Sequence, residues 1–540
     1  MSKTQAVLEE RPLTFLPVED AVISRGPWRG LPHWGGSATA LLLGLALVKV
    51  LLQFAGIRHY GFFRDELYYM ACGRHLAWGY VDQPPLIAAF AWFEAHVFGT
   101  SIVALRLLPV LSGGAVVFLT GILARELGGD LYAQCIAAVA ALFAPAFLAF
   151  DSFFSMNAFE PLFWVACALI VVRIVSGASP RWWLAFGALA GIALENKHTM
   201  LVFGFALVAG LLLSGEARVF RSKWMWIAGL IALAIFLPNM IWEARHGWPQ
   251  IEVVRNAQRY KNIPISALDF LGDQVAFLNP LALPVWLGGL AWLLFTRAGR
   301  PFRFLGWCYL IVFAVFLFLH GKSYYVLPAY PLILAAGGVA IERFAESPTR
   351  KWVRVSLPAA IVIGGLVMAP FGVPFLPINK FLRYDRIVPA GKIAKTERDA
   401  KSVQLPQLYA DMFGWHNIAT TVSQVYDSLP PDERNSCGIL AGNYGEAGAI
   451  DYYGPALGLP TALSGHNSYY DWGPRNYSGA CMIVFGERSS EYIKLWGDVR
   501  VAAVIHSAHA MPNERSIPIY ICHKPVAPLK DLWPHFKMII

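Results

Sequence analysis

Long apolar runs separated by short polar joints dominate residues 37–372 of this chain. A helix needs about 20 apolar residues to cross a bilayer, and somewhat fewer where other helices surround it. On this criterion the pattern predicts eleven membrane-spanning helices. They are expected at residues 37–57, 100–123, 132–150, 157–176, 182–195, 199–214, 224–242, 275–296, 303–319, 324–342 and 353–372. The pair at 182–195 and 199–214 is short, which leaves that part of the count open.

The pattern changes after residue 375, where no further run is long enough to span a membrane. Short strand-like runs occur at residues 438–442, 481–486, 501–507 and 517–523, and helix-like or loop stretches separate them. Such alternation favours a small α/β domain. The expected organisation is a tail over residues 1–35, a transmembrane domain over 36–374 and an α/β domain over 375–540.

The segment between the first two predicted spans, residues 58–99, has a helical pattern of its own. In GFFRDELYYMACGRHLAW, aromatic, Leu and Met side chains alternate with polar ones at helical spacing. This pattern predicts an amphipathic helix lying at the membrane interface. The following VDQPPLIAAFAWFEAHVFG predicts a second such helix or a re-entrant piece.

Charge sets the expected orientation of the helices. Of the 540 residues, 56% are hydrophobic and only 15% are charged, against roughly 25% charged in soluble domains. Basic residues collect in alternate joints, at 124–130, 173–181, 215–223, 297–303 and 342–354, whereas the opposite short joints hold only Lys197 and Lys322. Because basic loops stay in the cytoplasm, we expect a multi-pass protein of a bacterial inner membrane with its C-terminal domain in the periplasm.

The N-terminal tail and the net charge of +9 fit the same picture. Residues 1–35 are polar and mixed, and they lack the form of a cleaved leader, so we expect a cytoplasmic tail. Topology explains the positive charge without a nucleic-acid partner, and no basic stripe with interleaved aromatic residues is present. We therefore expect membrane lipids, and no nucleic acid, as partners.

Seven cysteines are present, and none forms a CxxC pair, which argues against a zinc ribbon. Cys437, Cys481 and Cys522 share the C-terminal region. A disulfide between two of these three is possible if the region is extracytoplasmic.

Four polar clusters interrupt the apolar background, and the predicted topology places all four on the outer side. They are Asp65-Glu66 with Asp82-Gln83, Asp151 with Asn157 and Glu160, Glu195-Asn196-Lys197-His198, and His320-Gly321-Lys322-Ser323-Tyr324-Tyr325. Polar groups at such positions usually line a cavity or a polar path.

The mixture of groups suits transfer from a lipid phosphate. Asp65 or Glu66 can act as a general base toward an attacking hydroxyl or amine. Lys197, His198 and Lys322, together with the tyrosines, can hold a phosphate. Each feature also has a structural alternative: the acids can stabilise a helix start, the lysines can extend to lipid headgroups, and Asn157 and Glu160 can join helices.

Several stretches resemble bacterial family 39 glycosyltransferases, which are related to protein O-mannosyltransferases and to lipid A aminoarabinose transferases. The stretches are RDELYY, GYVDQPPL, LRLLPVLSGGAVVFLTGILARELGG, AFDSFFSMNAFEPLFW, GIALENKHTMLVF and GKSYYVLPAYPLILAAGG, in that order over residues 55–345. NYGEAGAIDYYG and SGHNSYYDWGP resemble the C-terminal domain of one bacterial branch.

The resemblance implies a polytopic α-helical GT-C fold with a soluble outer domain, a polyprenyl-phosphate sugar donor and inversion at the anomeric carbon. Asp65 matches the main catalytic carboxylate, with Glu66 beside it, and Asp151 matches the acidic position of the second outer loop. Lys322 and Tyr325 fall in the segment that reaches the donor phosphate, next to Tyr324.

One position departs from the family. The aminoarabinose transferases carry a lysine immediately before the paired prolines, and here that residue is Gln83. An amide can donate a hydrogen bond to a phosphate but cannot neutralise it. Gln83 is therefore expected to contribute to phosphate binding only as a donor, and Lys197, His198 and Lys322 have to supply the charge.

The prediction from the sequence is a membrane glycosyltransferase that moves a sugar from a polyprenyl-phosphate donor to an envelope lipid, glycan or protein. No cofactor is required, although a divalent Mg²⁺ or Mn²⁺ bound by Asp65, Glu66 or Asp151 is chemically possible. One alternative is a transporter or flippase for a lipid-linked sugar, which would use the same charges as a substrate path. Another is an inactive relative that binds such a lipid.

Overall fold

The structure, a computed structural model, describes residues 36–389 and 405–540. The predicted tail, residues 1–35, lies outside the described residues. The part of the chain up to residue 389 is built from helices, as expected for a backbone in lipid, which must satisfy its hydrogen bonds within each segment. Its helices are α1 (Ser37–Gly56), α2 (Arg64–Arg74), α3 (Leu86–Val97), α4 (Ile102–Leu105), α5 (Leu107–Glu126), α6 (Leu131–Leu142), α7 (Pro145–Phe150), α8 (Met156–Val175), α9 (Trp182–Asn196), α10 (Met200–Leu213), α11 (Lys223–Arg245), α12 (Pro249–Asn256), α13 (Ala267–Phe277), α14 (Leu283–Phe295), α15 (Arg303–Phe318), α16 (Tyr330–Phe344), α17 (Val353–Gly372) and α18 (Ile378–Ile387).

The helices agree with the predicted spans in position but not all in length. Seven helical segments within the described residues are long and apolar enough to cross a membrane, or eight if the bent pair α13–α14 forms one span. The three remaining predicted spans correspond to shorter helices. The run at 132–150 is broken into α6 and α7, and α9 and α10 have 15 and 14 residues. A polytopic helical membrane protein is confirmed, and the number eleven stays a prediction.

Small residues allow the central helix α16 to pack closely between its neighbours. A Cβ atom on Gly337 would lie 2.1 Å from the carbonyl oxygen of Val285 in α14, and one on Gly338 would lie 2.2 Å from that of Ala133 in α6. Helix association in lipid depends on such close contact, because lipid tails are as apolar as the side chains. The Gly-Gly pair therefore holds α16 in the middle of the bundle.

The C-terminal part contains a five-stranded mixed sheet with the order β2-β1-β3-β5-β4. The strands are β1 (Gly438–Ala441), β2 (Leu463–Ser464), β3 (Cys481–Phe485), β4 (Trp496–His506) and β5 (Ser516–Pro525). The helices are α19 (Gln407–Ala410), α20 (Trp415–Asp427), α21 (Pro431–Arg434), α22 (Tyr444–Tyr453), α23 (Ser468–Asp471), α24 (Ser489–Tyr492) and α25 (Leu529–Leu532). The four predicted strands are present, and the two-residue β2 was missed because it is too short to show a pattern.

The central strands of this sheet are joined by a disulfide. β1 runs parallel to β2 and β3, whereas β5 is antiparallel to both β3 and β4. Cys437, just before β1, is bonded to Cys481 at the start of β3, and Cys522 is a free buried thiol. Two of the three C-terminal cysteines thus form the disulfide that the sequence left open.

The segment between α1 and α4 joins the two parts of the molecule. As predicted, it forms two helices, α2 and α3, and α2 packs against α22 of the C-terminal part. The Tyr68 hydroxyl lies within hydrogen-bond distance of Ser468 Oγ at 2.8 Å, and Arg74 Nη1 donates to the carbonyl of Asp451 at 2.7 Å. A Cβ on Gly448 would lie 2.9 Å from the backbone of Leu67, so the two helices touch closely. The C-terminal part therefore holds α2 from its middle to its end.

Candidate active site

A cavity of about 220 Å³ lies where the membrane helices meet the C-terminal domain. One wall is apolar and consists of side chains from α7, α13 and α17. The other wall is polar and comes from the start of α2, the start of α8, the segment before α16 and the segment at 406–411. The polar lining residues are Arg64, Asp65, Asn157, Lys322, Tyr324, Gln407 and Asp411. The cavity therefore presents charged groups on one side and a surface suited to a lipid chain on the other.

Asp65 lies in this cavity, in the first turn of α2. Its side chain is partly exposed, and its Oδ1 atom accepts a hydrogen bond from the hydroxyl of Tyr444 at 2.8 Å. Arg64 Nε lies 3.7 Å from the same oxygen, and Arg64 Nη1 lies 3.6 Å from Asp411 Oδ1. Tyr444 and Asp411 belong to the C-terminal domain, which thus helps to orient the carboxylate predicted as the general base.

Glu66 has a different environment from its neighbour. Its side chain is fully buried, and its two oxygens accept hydrogen bonds from Arg106 Nε and Nη2 at 2.8 and 2.7 Å. They also accept from the backbone N–H groups of Phe63 and Phe154, both at 2.7 Å. A carboxylate with four donors is well satisfied and has no free position for a substrate proton. The geometry favours a structural role for Glu66 in place of the catalytic one predicted.

Asp151 is also buried, and it forms an ion pair with Lys49 of α1 at 2.8 Å. Gly113 of α5 makes room for the pair, because a Cβ there would lie 2.3 Å from Asp151 Oδ2. Asp151 contacts a small second cavity that shares Phe150, Asn157 and Tyr324 with the main one. It therefore lies behind the main cavity wall, where it can affect the site through its neighbours.

Lys322 and Tyr324 both line the main cavity, in agreement with their predicted contact with a phosphate. They flank the start of a 3₁₀ helix, Ser323–Ala329. Ser323 Oγ donates to Asp273 at 2.7 Å, and this bond fixes the turn between them. Within the described part of the chain no carboxylate pairs with Lys322, so its ammonium group is available to an anion.

Lys197 does not line the cavity but lies behind Asn157, which does. Its Nζ atom donates to Asn157 Oδ1 at 2.8 Å and to Glu160 Oε2 at 2.9 Å. It also lies 4.6 Å from the centre of the Tyr325 ring, a distance typical of a cation–π contact. Glu160 neutralises its charge, so Lys197 and Tyr325 form a wall behind the cavity in this structure.

His198 and Gln83 lie away from the cavity lining. His198 Nε2 lies 3.1 Å from Asn239 Oδ1 in α11, and its ring packs edge-on against Phe236. Gln83 is fully buried, and its Nε2 atom lies 3.6 Å from Cys72 Sγ. Both side chains face other parts of the protein here, so their contacts with a phosphate stay a prediction.

The three carboxylates considered for a divalent ion do not converge. Asp65 is bound by Tyr444, Glu66 by Arg106 and Asp151 by Lys49. In residues 36–389 and 405–540, these three do not form a group of closely spaced ligand atoms. The residues therefore do not fit the shared Mg²⁺ or Mn²⁺ site considered from the sequence.

A second carboxylate, Asp82, lies near Asp65 at the junction of the two domains. Asp82 accepts hydrogen bonds from the hydroxyl of Tyr68 at 2.7 Å and from Asn467 Nδ2 at 3.1 Å. Burial raises the pKa of Asp82 to about 6, the bond from Tyr68 opposes this shift, and the charge of Asp65 adds to it. Asp65 and Asp82 thus both face the domain junction.

Sequence reasoning missed the contribution of the C-terminal domain. Tyr444 lies in GNYGEAG, a stretch that attracts attention for its glycines and not for its tyrosine. Asp411 has no local signal, since it follows a short helix far along the chain. Lys49 offered a signal that could have been used, because a lone lysine within an apolar run needs a partner.

Comparison with known proteins agrees with this architecture. Residues 82–242 match the family model described as dolichyl-phosphate-mannose-protein mannosyltransferase. The crystal structures of ArnT from Cupriavidus metallidurans, bound to undecaprenyl phosphate and in the apo state, are similar with TM-scores of 0.60 and 0.59. Each is 15% identical, and each alignment covers 90% of this chain and 98% of that chain. Arabinofuranosyltransferase AftD from Mycobacteria is also similar, with a TM-score of 0.50, 15% identity and coverage of 90% of this chain and 40% of that chain.

No match was found among the curated proteins. The described residues have the fold of these membrane glycosyltransferase structures. The resemblance to family 39 glycosyltransferases, inferred from motifs in residues 55–345, is confirmed by the family model over residues 82–242.

Proposed function

We propose that this protein transfers a sugar from a polyprenyl-phosphate donor to an envelope lipid, glycan or protein on the periplasmic side of the inner membrane, with inversion. The observation that carries the proposal is the shared cavity, which Asp65 and Lys322 line together with apolar side chains of α7, α13 and α17. A lipid phosphate requires both kinds of surface. The undecaprenyl phosphate bound in the similar ArnT structure supports a donor of this chemical class.

In the proposed reaction Asp65 acts as general base. Its Oδ1 is occupied by Tyr444, and Oδ2 takes the proton of the acceptor hydroxyl or amine. The acceptor atom forms a bond to the anomeric carbon as the bond from that carbon to the phosphate oxygen breaks. The electron pair leaves with the polyprenyl phosphate, and attack from the opposite face inverts the configuration.

Lys322 and Tyr324 stabilise the leaving group in this scheme. The charge on the phosphate grows as the bond to the sugar breaks, so a nearby ammonium group and a hydroxyl donor lower the barrier. Lys197 supports the same wall through Asn157. Glu66 and Arg106 keep the start of α2 in place, and this fixes the position of Asp65.

We also propose the domain division and orientation that the charge pattern predicts. The transmembrane part extends to about residue 374, and the domain over 375–540 faces the periplasm. The disulfide in this domain supports an oxidising compartment. Since the domain supplies Tyr444 and Asp411 at the edge of the cavity, we propose that it also borders the acceptor.

The test uses full-length protein in lipid nanodiscs with radiolabelled undecaprenyl-phosphate hexose and a bacterial envelope extract as acceptor. Asp65→Asn is expected to lower transfer by about 10²–10⁴-fold, the usual contribution of a general base, while donor binding is kept. Lys322→Gln is expected to weaken donor binding. Asp498→Asn, on an exposed position of β4, is the matched control and should leave both unchanged.

Reconstitution in vesicles separates the transporter alternative from the enzyme. Labelled donor that crosses the bilayer in the presence of wild-type protein, without any labelled acceptor, would establish transport and reject the proposal. An Asp65→Asn variant that transfers sugar at the wild-type rate would reject the role of this carboxylate.

A further inference from the structure

Three neighbouring strands of the C-terminal sheet bring sulfur and imidazole groups together at one end. Gly438 of β1 pairs with Met482 of β3, so the preceding residue Cys437 lies beside Cys481. Cys481 pairs directly with His523 of β5. The three side chains therefore come from adjacent strands at the same level of the sheet.

A carboxylate completes this group. Glu433, in the short helix α21, contacts His523 through Oε1 and Nε2. One ligand atom from each of Glu433, Cys481 and His523 lies within 4.8 Å of the others. Cys437 Sγ is bonded to Cys481 Sγ and so belongs to the same group. Two sulfurs, one imidazole nitrogen and one carboxylate oxygen make a donor set that zinc favours.

The group has both a protected side and an open side. Cys437 and Cys481 are 1% and 2% exposed, whereas the side chains of His523 and Glu433 are 30% and 25% exposed. An ion can therefore reach the group from solvent over the imidazole and the carboxylate. Tetrahedral zinc sites with bonds of about 2.0–2.3 Å hold their ligand atoms about 3.3–3.8 Å apart, so shifts of about an ångström bring these donors into range.

We propose that Glu433, Cys437, Cys481 and His523 form a zinc site when the disulfide is reduced. The S–S bond accepts two electrons and two protons from a dithiol reductant, which becomes a disulfide, and two thiols result. Zinc then displaces both thiol protons and binds the two thiolates, the neutral imidazole and the carboxylate. The disulfide and the bound ion are thus alternative ways to join β1 and β3, and the inference is independent of sugar transfer.

The test uses full-length protein in detergent, prepared in an oxidised and a reduced form and freed of metal with a chelator. Zn²⁺ is added in competition with a chromophoric chelator. The reduced wild type is expected to bind one equivalent and to release two protons, and the oxidised form to bind none at this site. Removing a residue that supports a metal ligand lowers metal affinity by about 10–100-fold, and removing the ligand itself should lower it at least as much. His523→Ala and Glu433→Gln should therefore each weaken zinc binding by about 10–100-fold or more. His506→Ala, an exposed histidine on β4, is the matched control.

Circular dichroism of each sample shows whether the protein stays folded. The variants then distinguish a specific zinc site from zinc binding by the two reduced cysteines alone. Equal zinc binding by reduced wild type and His523→Ala would identify adventitious binding to the two cysteines and overturn the proposal. A reduced protein that binds no zinc, whether its sheet domain stays folded or not, would overturn it as well. Reduced wild type that binds one ion, keeps its spectrum and depends on His523 supports it.

Discussion

Two adjacent acids in the first turn of α2 have different environments in this molecule. Asp65 faces the cavity and accepts one hydrogen bond from Tyr444, whereas Glu66 faces inward and is saturated by Arg106 and two backbone N–H groups. Consecutive residues on a helix point about 100° apart, so neighbours in sequence need not share a site. The sequence identified the pair, and only the fold separates the carboxylate that faces the cavity from the buried one.

Substitutions of these two acids should therefore affect different properties. Glu66→Gln removes the partner of a buried guanidinium, and we expect the free energy of unfolding to fall by about 3–5 kcal/mol. Asp65→Asn should leave the melting temperature unchanged, because that side chain is partly exposed and faces the cavity. Thermal unfolding in detergent, followed by tryptophan fluorescence, measures both. A Glu66→Gln protein with normal stability and no transfer would restore the catalytic role to Glu66.

A buried acid in the C-terminal domain should make stability depend on pH. Burial raises the pKa of Glu514 well above its usual range, the charge of Asp411 adds to the shift, and Arg64 opposes it. Glu446 and Glu487 also face this carboxyl and raise its pKa further. Because the folded state holds the proton more tightly than the unfolded state, the carboxyl lowers stability as pH rises above its unfolded pKa of about 4.3.

Glu514→Gln is expected to remove this loss of stability at high pH. The melting temperature should rise by about 2–6 °C at pH 8 and change little at pH 5. Differential scanning calorimetry of the wild type and the variant at pH 5 and pH 8 measures this change in melting temperature. An equal gain at the two pH values would show that proton binding is not the cause.

At the scale of elements, close packing of α16 depends on two consecutive glycines. Gly338→Ala places a Cβ 2.2 Å from the backbone of α6, so the helices must separate, and we expect a loss of about 1–3 kcal/mol. Gly229→Ala in α11 is the control, because a Cβ there meets nothing within 4 Å. Unfolding in a graded series of denaturing detergent compares the two. Equal stability of the two variants would contradict the packing role of α16.

The elements themselves were largely predictable, because each depends on a local pattern. Apolar length located the helices, and the four longer strands followed from short β-rich runs between turns. The break between α6 and α7 and the bend of 88° between α13 and α14 were not predicted. The long-range partners Lys49–Asp151 and Glu66–Arg106 come from tertiary packing, which no local pattern specifies.

At the scale of the whole molecule, the C-terminal domain and the membrane helices line one cavity together. Tyr444→Phe keeps the ring and removes only the hydroxyl that holds Asp65 at 2.8 Å. Under the proposed function we expect transfer to fall by about tenfold, the equivalent of one hydrogen bond, with donor binding unchanged. Assays of sugar transfer and of donor binding in nanodiscs measure the two effects separately. Tyr477→Phe, in the same domain, is the control, and equal activity of the two variants would exclude coupling through Tyr444.

The small volume of the cavity has a kinetic consequence. At about 220 Å³ it is smaller than the roughly 300–1,000 Å³ of pockets that enclose a whole drug-sized ligand. Under the proposed function, the head group and the start of the polyprenyl chain therefore enter along the apolar wall, and the rest of the chain stays in the bilayer. Under the proposed function, the number of isoprene units should hardly change the rate. The relevant concentration is then the surface density of donor in the membrane, so diluting the protein with added phospholipid at constant bulk donor should slow turnover in proportion.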